Sequence, residues 1–375
     1  RTYFQSNASL STSAESLQGV EAVVASPIFD AANEVVGFVY GCRTRFSLAR
    51  GGVGIGPLEA QVMQVLAAAV GAGLARQQQE AEAAKARVQF EQFFSPELAL
   101  ELQRNPSMLE GVEREITILF SDVRNFSRLS ERLGPRLTCE LVADVMERLT
   151  ACIRRHDGTI VDYLGDGLIA MWNAPLNQAD HARQACLAAL DMLAVLPELS
   201  ADWQDRLGTP VRVGIGVNSG PAMCGNTGSK TRFKYGPLGH AVNLASRVES
   251  ATKQMGVPLL ITGSTRALVG DNFATRRLCK VRVVGIQGAV DFYELNASAE
   301  QASPEWNERA KVYEQALTLY ESGQFGDACA TLYSLLARDP SSYDMPSLNL
   351  LTRSVEALKN PPGPGFDGVL ELHSK

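Results

Sequence analysis

Two aspartates stand where short carboxylates could hold metal ions. Asp122 follows an apolar run, 116–120, and precedes a helical pattern, whereas Asp166 lies between Gly165 and Gly167, where two further apolar runs meet. A carboxylate at the end of a strand, beside the unpaired N–H groups of a helix start, can hold a cation and a phosphate together. Alone, each aspartate is more often a helix cap or a turn residue.

The two aspartates say more together than singly. Two hard carboxylates at one end of a sheet, with no His or Cys nearby, suit Mg²⁺ or Mn²⁺, and two such ions can clamp a triphosphate and activate a hydroxyl. A third element is the pair Asn243 and Arg247, which share a helix face. An arginine that bridges phosphate oxygens stabilises charge in phosphoryl transfer, although a surface salt bridge with Glu249 or another acid is its simpler interpretation.

The elements that must position these residues alternate from residue 112 onward. Read in order, the first of them predict β-α-β-β-α-β, the ferredoxin-like arrangement of an α+β domain. A helix over 241–253, which carries Asn243 and Arg247, and a hairpin of strands at 281–284 and 290–295 complete one domain over 112–297. The other predicted strands lie at 116–120, 159–163, 168–172, 211–217 and 258–262, and the other predicted helices at 127–133, 136–156, 182–193 and 264–269.

Three segments match a known family. In this order they resemble the class III nucleotidyl cyclase catalytic domain: Phe120-Ser121-Asp122-Val123-Arg124-Asn125-Phe126-Ser127, Leu164-Gly165-Asp166-Gly167 and Gly239-His240-Ala241-Val242-Asn243-Leu244-Ala245-Ser246-Arg247. The resemblance covers 112–297, about half of the chain. It implies that the ribose 3′-hydroxyl of a nucleoside triphosphate attacks its own α-phosphorus, giving a 3′,5′-cyclic nucleotide and pyrophosphate.

The resemblance also implies a role for the residues around the first motif. Asp122 and Asp166 would bind two Mg²⁺ or Mn²⁺ ions per active site, with the Val123 carbonyl as an extra ligand. The amides around three residues would cradle the phosphates: Asn125, Phe126 and Ser127.

The third motif carries the other half of the site. By the same resemblance, Asn243 would orient the ribose and Arg247 would stabilise the transition state. The family takes its metal aspartates from one subunit and its Asn/Arg pair from the other. This chain has one catalytic domain with both half-sets, so a second copy is expected as a head-to-tail partner, and a monomer should be inactive.

Two positions depart from the adenylate cyclase pattern. Such enzymes usually carry Lys where this chain has Asp162 and Asp or Thr where it has Gly236, and those side chains read the adenine edge. An acidic residue at the first position is similar to guanylate cyclases, because a carboxylate accepts from guanine N1–H and N2–H₂. Gly236 offers no side chain, so the likeness to guanylate cyclases is incomplete.

A third departure concerns the triphosphate. Many relatives have Lys directly before the glycine at 285, where this chain has Val284. A lost charge-assisted bond of that kind is worth about 1.5–3 kcal/mol if nothing replaces it. Arg232, Lys234 or Arg282 could replace it, or they could be solvated charges at strand ends.

Three functions remain open on the sequence. The prediction is an adenylate cyclase with an atypical base pocket. It rests on the family resemblance, because most single-domain cyclases of this class that look bacterial make cyclic AMP from ATP. The first alternative is a guanylate or relaxed-specificity cyclase that accepts GTP, suggested by Asp162. The second alternative is a non-catalytic nucleotide-binding scaffold dimer, against which the intact Asp122, Asp166, Asn243 and Arg247 argue.

The flanking segments are less informative. Residues 1–8 look like a cloning scar and are left out of the fold prediction. Residues 9–75, with strands at 21–29 and 35–43 and a helix from about 57, resemble the C-terminal half of a GAF sensory domain. Residues 76–111 are predicted to be a helical linker, paired with its twin or solvated alone. Residues 298–375 predict a helical hairpin of the tetratricopeptide type and an extended tail.

Composition excludes several classes. The 375 residues are 45% hydrophobic with a formal charge of −6, which excludes a disordered chain and a basic nucleic-acid footprint. Seven cysteines without a CxxC pair favour a reducing compartment, here the cytoplasm. The weakly polar stretch 60–75 is shorter than the roughly 20 residues that a membrane span needs, and no signal peptide is visible, so no membrane segment is expected.

Overall fold

A computed structural model gives the architecture of two compact units, residues 1–96 and 97–375. Each unit is described separately below. The residues that the structure describes are 2–6, 20–44, 55–93, 110–229, 234–283, 288–338, 344–363 and 365–372.

The first unit is a small antiparallel sheet with one long helix. Its elements follow the order β1-β2-β3 in the sheet, and they are β1 (Tyr3–Ser6), β2 (Val20–Phe29), β3 (Val35–Thr44) and α1 (Pro57–Phe93). Ala60 and Ala67 of α1 are buried, and Gly71 lets the helix approach β2, because a Cβ there would lie 2.7 Å from the Phe29 carbonyl oxygen. The likeness of this unit to a GAF domain stays a prediction.

Two expectations for this unit need correction. Residues 3–6 were expected to lie outside the fold, yet they form β1, which pairs antiparallel with residues 22–25 of β2. The expected boundary between residues 75 and 76 falls inside α1, which is continuous. An alanine-rich sequence with no proline after residue 57 gives the helix no reason to stop there.

Two helical stretches are long and apolar enough to cross a membrane by length and composition, Pro57–Ala84 and His181–Leu207. The expectation that 60–75 is too short for a span counted only the most apolar residues, whereas the helix itself is longer. Buried core helices pass the same test, and the second stretch has Ala185, Ala189 and Met192 buried in the core of its unit. Length alone therefore assigns no membrane role to either stretch.

The second unit is a mixed α+β fold on one large sheet. Its strands are β4 (Val112–Val123), β5 (Thr159–Leu164), β6 (Gly167–Trp172), β7 (Val213–Asn226), β8 (Tyr235–Leu238), β9 (Leu259–Thr262), β10 (Phe273–Val283), β11 (Ala289–Ser298) and β12 (Leu370–Leu372). Its helices are α2 (Phe126–Arg155), α3 (His181–Ala194), α4 (Leu196–Leu207), α5 (His240–Met255), α6 (Gly263–Val269), α7 (Pro304–Glu321), α8 (Phe325–Arg338) and α9 (Met345–Lys359).

The sheet has the strand order β12-β10-β11-β9-β7-β4-β6-β5, with β8 paired to β7. Its part β7-β4-β6-β5 is antiparallel throughout, as the predicted β-α-β-β-α-β order requires. One core cluster joins α2, α3 and α4 to this sheet, and α5 packs on β7 and β4. The predicted α+β class is confirmed.

Most predicted elements of this unit lie where the pattern placed them. Gly134 interrupts α2 with φ 72° and ψ 170°, as the Gly-Pro pair indicated. The pattern missed α4, because Pro197 reads as a helix breaker although it occupies the first turn, where proline is tolerated. It also missed α9 and β8.

The C-terminal helices pack against the large sheet of their own chain. Arg276 of β10 is 1% exposed and bonds Glu294 of β11 and Asp344, which directly precedes α9. The Tyr313 hydroxyl of α7 donates to the Leu278 carbonyl at 2.8 Å. The α7–α8 hairpin therefore belongs to this unit, and its likeness to tetratricopeptide repeats stays a prediction.

The tail after α9 was expected to be extended, with no strand assigned to it. Part of it instead forms β12, which pairs in parallel with β10 at the edge of the sheet. Arg282 of β10 bonds Glu371 and Asp367 of this tail at 2.8 and 3.1 Å. The edge strand β10 presents unpaired backbone N–H and C=O groups, and β12 pairs with them.

Candidate functional site

Asp122 and Asp166 lie side by side at the end of β4. Asp122 pairs with Gly167 in the β4–β6 register, and the Val123 amide donates to the Asp166 carbonyl at 3.3 Å. A Cβ at Gly167 would lie 2.7 Å from the Ser121 carbonyl oxygen and 3.2 Å from Asp122 Oδ1, so only glycine lets the hairpin tip approach this closely. The strand pairing thus brings together the two carboxylates that the sequence singled out.

These carboxylates repel each other. Burial and, to a smaller extent, the negative charge of Asp166 together raise the pKa of Asp122 to about 6 against the opposing effect of Arg124. Two adjacent carboxylate groups with a backbone carbonyl at Val123 form an all-oxygen donor set, which fits Mg²⁺ or Mn²⁺. No cluster of three His, Cys, Asp or Glu side chains occurs in the part of the chain that the structure describes. Further ligands would therefore be water or phosphate oxygens.

The start of α2 faces outward beside Asp122. The helix begins at Phe126, and Asn125 before it adopts a left-handed conformation, φ 58° and ψ 31°, without a side-chain cap. The first N–H groups of a helix have no intrahelical acceptor and carry partial positive charge. The amides around Asn125, Phe126 and Ser127 therefore suit an anion such as a phosphate.

The sequence analysis missed three arginines next to this helix start. A pocket of 470 Å³ is lined by Arg128 and Arg132 of α2 and by Arg212, whose carbonyl accepts from the Arg124 amide at 2.8 Å. No ion pair or side-chain hydrogen bond holds these three guanidinium groups within the described ranges. The pocket adjoins a cleft of 910 Å³ at Asp122. The only signal in the sequence was an Arg directly before the buried strand β7.

Three guanidinium groups beside a helix start favour an anion, such as the triphosphate that the family resemblance implies. Truncating Arg212 to alanine should raise the KM for the metal-nucleotide complex about tenfold or more, since one charge-assisted bond is worth about 1.5–3 kcal/mol. Arg183→Ala, at an exposed position of α3, is the matched control and should leave KM unchanged. Steady-state kinetics check this. An Arg212→Ala enzyme with the parent KM would exclude the pocket from nucleotide binding.

Asn243 and Arg247 lie on α5, away from its buried face. That face packs against β7 through Ala245 and Val248, whereas Asn243 is exposed and Arg247 half-buried. Neither side chain has a hydrogen-bond or ion-pair partner among the described residues. Glu249 pairs with Arg124 instead, so the simpler interpretation, in which Arg247 bonds Glu249, is wrong.

The same chain does not bring its Asn243 into its own cleft. Thr252 and Lys253, near the C-terminal end of α5, line the cleft at Asp122. Asn243 lies ten residues before Lys253, which is about 15 Å along a helix axis. Asn243 is therefore not among the residues that line the cleft of its own chain.

The two predicted base-reading positions do lie together. Lys234 Nζ donates to Asp162 Oδ2 at 2.5 Å, and the Tyr163 amide donates to Asp162 Oδ1 at 3.0 Å. Gly236 of β8 packs beside β5, since a Cβ there would lie 3.1 Å from Val161 Cγ1. Both oxygens of the Asp162 carboxylate therefore have partners, one in an ion pair with Lys234 and one in a hydrogen bond from the Tyr163 amide.

The three candidates for the missing lysine fare differently. Lys234 is bound to Asp162 and Arg282 to the tail residues Glu371 and Asp367, so neither is a free triphosphate ligand in this chain. Lys234 and Arg282 are thus paired charges and not solvated alone, and replacement of the lysine by one of the three candidates stays a prediction. Arg232 lies outside the described residues, as do the residues at 284 and 285.

Comparison with known proteins agrees with this geometry. A family model described as "Adenylate and Guanylate cyclase catalytic domain" matches residues 110–297, half of the chain. Adenylate cyclase 1 of Rhizobium meliloti (strain 1021) is 33% identical over 183 residues, which are 48% of this chain and 27% of that protein. Guanylyl cyclase C of Rattus norvegicus is 29% identical over 175 residues, 46% of this chain and 16% of that one.

Some solved structures match a larger share of this chain than the family model does. A bacterial light-regulated adenylyl cyclase is 23% identical and has a TM-score of 0.52, and the match covers 62% of this chain and 66% of that chain. At this identity the match concerns the fold. The chain spans less than a third of the length of either sequence relative named above.

Proposed function

Because the chain belongs to the adenylate and guanylate cyclase catalytic-domain family, we propose that it converts ATP to 3′,5′-cyclic AMP and pyrophosphate in a head-to-tail homodimer. One observation carries this proposal. Asp122 and Asp166 converge beside an open helix start, while Asn243 and Arg247 stand unpartnered elsewhere on the same chain. A second copy can supply the missing half to each site.

The residues divide the work as follows. Asp122, Asp166 and the Val123 carbonyl would hold two Mg²⁺ or Mn²⁺ ions, which when bound neutralise phosphate charge and make the 3′-hydroxyl more acidic. The helix-start amides and Arg212 hold the triphosphate. The 3′-oxygen forms a bond to the α-phosphorus, the α–β bridging bond breaks, pyrophosphate leaves with the electron pair, and the hydroxyl proton passes to water.

The second chain contributes orientation and charge. Asn243 holds the ribose so that the 3′-oxygen faces the α-phosphorus, which lowers the entropic cost of the attack. Arg247 donates to the phosphate oxygens whose negative charge grows in the transition state. A chain without a partner has neither group in its cleft.

The pair of Asp162 and Lys234 supports ATP as the substrate. A free carboxylate at this position would accept hydrogen bonds from guanine N1–H and N2–H₂, but Asp162 already accepts from Lys234 and from the Tyr163 amide. The Lys234 ammonium has further protons to donate to adenine N1, an acceptor. A guanylate or relaxed-specificity cyclase is the second candidate, because an acid stands at this position at all.

The direct test offers ATP and GTP separately to purified protein with Mg²⁺ or Mn²⁺ and quantifies the cyclic product. We expect cyclic AMP as the main product. Product from GTP alone would establish the second candidate. No product from either nucleotide, with binding retained, would leave the non-catalytic scaffold dimer.

Replacing Lys234 by methionine should shift the preference. Asp162 then becomes a free acceptor, so the ratio of kcat/KM for ATP to that for GTP should fall about tenfold or more. Lys311→Met, at an exposed position of α7, is the control and should keep the parent ratio. An unchanged ratio in the Lys234→Met enzyme would remove this pair from base recognition.

We place the catalytic domain in the cytoplasm. All seven cysteines are free thiols, and Cys152, Cys186, Cys224 and Cys279 are buried, as in proteins of reducing compartments. The substrate, a nucleoside triphosphate, is also intracellular. Expression of the chain with a fluorescent fusion would test this placement, and an exclusively extracytoplasmic signal would contradict it.

A further inference from the structure

A buried ion pair joins the two half-sets of one chain. Arg124 Nη1 lies 3.4 Å from Glu249 Oε1, and the two side chains are only 20% and 12% exposed. Arg124 follows Asp122 by two residues in the metal-site segment. Glu249 lies on the buried face of α5, the helix that carries Asn243 and Arg247. Neither member of the pair has a role in the reaction described above.

Two glycines of β7 make room for this pair. A Cβ at Gly214 would lie 1.9 Å from Arg124 Nη2, and a Cβ at Gly216 would lie 2.1 Å from the Glu249 amide nitrogen. Any side chain at Gly214 would push the guanidinium out, and any at Gly216 would lift α5 off the sheet. The missing side chains of β7 therefore leave space for the Arg124 guanidinium to reach the Glu249 carboxylate between α5 and the sheet.

The pair is an inefficient way to gain stability. Arg124 Nη2 and Glu249 Oε1 are both buried and lack a hydrogen-bond partner within the described ranges. Desolvation of two charges is costly unless all their hydrogen bonds are made, and an apolar pair of similar volume is often as stable or more so. Burial also raises the pKa of Glu249 to about 7, against the effect of Arg124. A role other than stability accounts better for such an arrangement.

We propose that Arg124 and Glu249 are positioning residues that tie the metal-site segment to α5 and thereby couple the two active sites of the dimer. This inference rests on the proposed function. In a head-to-tail dimer, the aspartates of a chain serve one site and its Asn243 and Arg247 serve the other. A tie between them inside one chain transmits a shift of either half to the opposite site, because buried packed elements move together.

Mixed dimers can separate the two ends of the tie. One chain carries Asp166→Ala and the other Arg247→Ala, each with its own affinity tag, and tandem purification yields dimers of both. Such a dimer has one intact site, built from the aspartates of the Arg247→Ala chain and α5 of the Asp166→Ala chain. Glu249→Gln is then introduced into one chain or the other, and kcat and KM of the intact site are measured.

The tie predicts loss of activity from both placements. In the Asp166→Ala chain the change releases the α5 that serves the intact site, and in the Arg247→Ala chain it releases the aspartates that serve it. Each placement should lower kcat about tenfold or more while KM stays within about twofold, because small misplacements of reacting groups carry such costs. An effect from one chain only, or from neither, would overturn the proposal.

The failure of the proposed function is visible separately. If the mixed dimer without Glu249→Gln shows no activity, the active site is not shared between two chains. The coupling proposed for Arg124 and Glu249 then fails as well. If that dimer is active, the result with Glu249→Gln concerns the tie alone. Glu140→Gln, which breaks the exposed ion pair with Arg136, is the matched control and should not change kcat.

A second set of variants guards against misfolding. Arg124→Met, Glu249→Gln and the double variant are compared as unmixed dimers, with thermal unfolding and dimer mass measured beside kcat. If the residues act through each other, the double variant should be no slower than the slower single variant. Additive losses in kcat would show that each residue acts alone, which would overturn the proposal.

Discussion

Replacing Asp122 by asparagine should abolish cyclic-nucleotide formation, with kcat lower on the order of 10³-fold, because the chain loses half of the charge that holds its metal ions. The loss should appear in binding as well. Mn²⁺ that binds only the folded state raises the unfolding temperature of the parent chain. The variant should show little or none of this increase, since asparagine is a poorer ligand than a carboxylate.

The Asp122→Asn chain should still fold. Burial and the neighbouring Asp166 raise the pKa of Asp122, so a neutral amide at this position removes repulsion in the metal-free chain. The metal-free variant should therefore unfold at the same temperature as the parent or higher. Asp205→Asn, at an exposed position of α4, is the control for kcat and for the Mn²⁺ effect. Full Mn²⁺ stabilisation of Asp122→Asn would contradict the metal assignment.

Truncating Arg247 to alanine should lower kcat on the order of 10³-fold with a smaller change in KM, because its charge is needed most in the transition state. The side chain is half-buried and has no partner among the described residues, so its removal should leave folding and dimer mass unchanged. Steady-state kinetics with ATP give the split between kcat and KM.

Arg154→Ala is the matched control for this prediction. Arg154 is an exposed arginine in the last turn of α2, and its loss should change neither kcat nor KM. An Arg247→Ala enzyme with a raised KM for ATP and the parent kcat would show that Arg247 contributes to ground-state binding only. Arg247 would then have no part in stabilising the transition state.

The sequence predicted the elements and the pairing of the aspartates, for a physical reason. Short apolar runs define β4 and β6, and the tight Gly165-Asp166-Gly167 turn leaves one register in which Asp166 reaches Asp122. Local patterns of this kind are readable without knowledge of the rest of the chain. The ferredoxin-like order followed from the same patterns.

Contacts between distant elements were not readable. Arg124 and Glu249 meet only because Gly214 and Gly216 let a guanidinium and a helix lie against β7. In the sequence, the two glycines indicate only a strand of reduced stability, because glycine in a strand has no side chain to pack. Arg212 was missed for a similar reason. It lies directly before β7, whereas its neighbours Arg128 and Arg132 lie on α2, about 80 residues earlier in the sequence.

Two of the predicted phosphate ligands form ion pairs with residues distant in the sequence. Lys234, directly before β8, is held by Asp162 of β5, and Arg282 is held by a tail that the pattern did not recognise as a strand. A charge in the sequence carries no information about its partner until the strands are placed. Positions 162 and 236 could therefore be singled out from the sequence, but the ion pair between Asp162 and Lys234 could not.

The shared active site is tested most directly by mixing two inactive chains. Asp122→Ala removes the metal half of a site, and Arg247→Ala removes the half on α5. A purified dimer of one chain of each kind keeps one complete site out of two, so it should regain about half of the parent rate with ATP. A mixed dimer that stays as inactive as its two parents would contradict a site built from two chains.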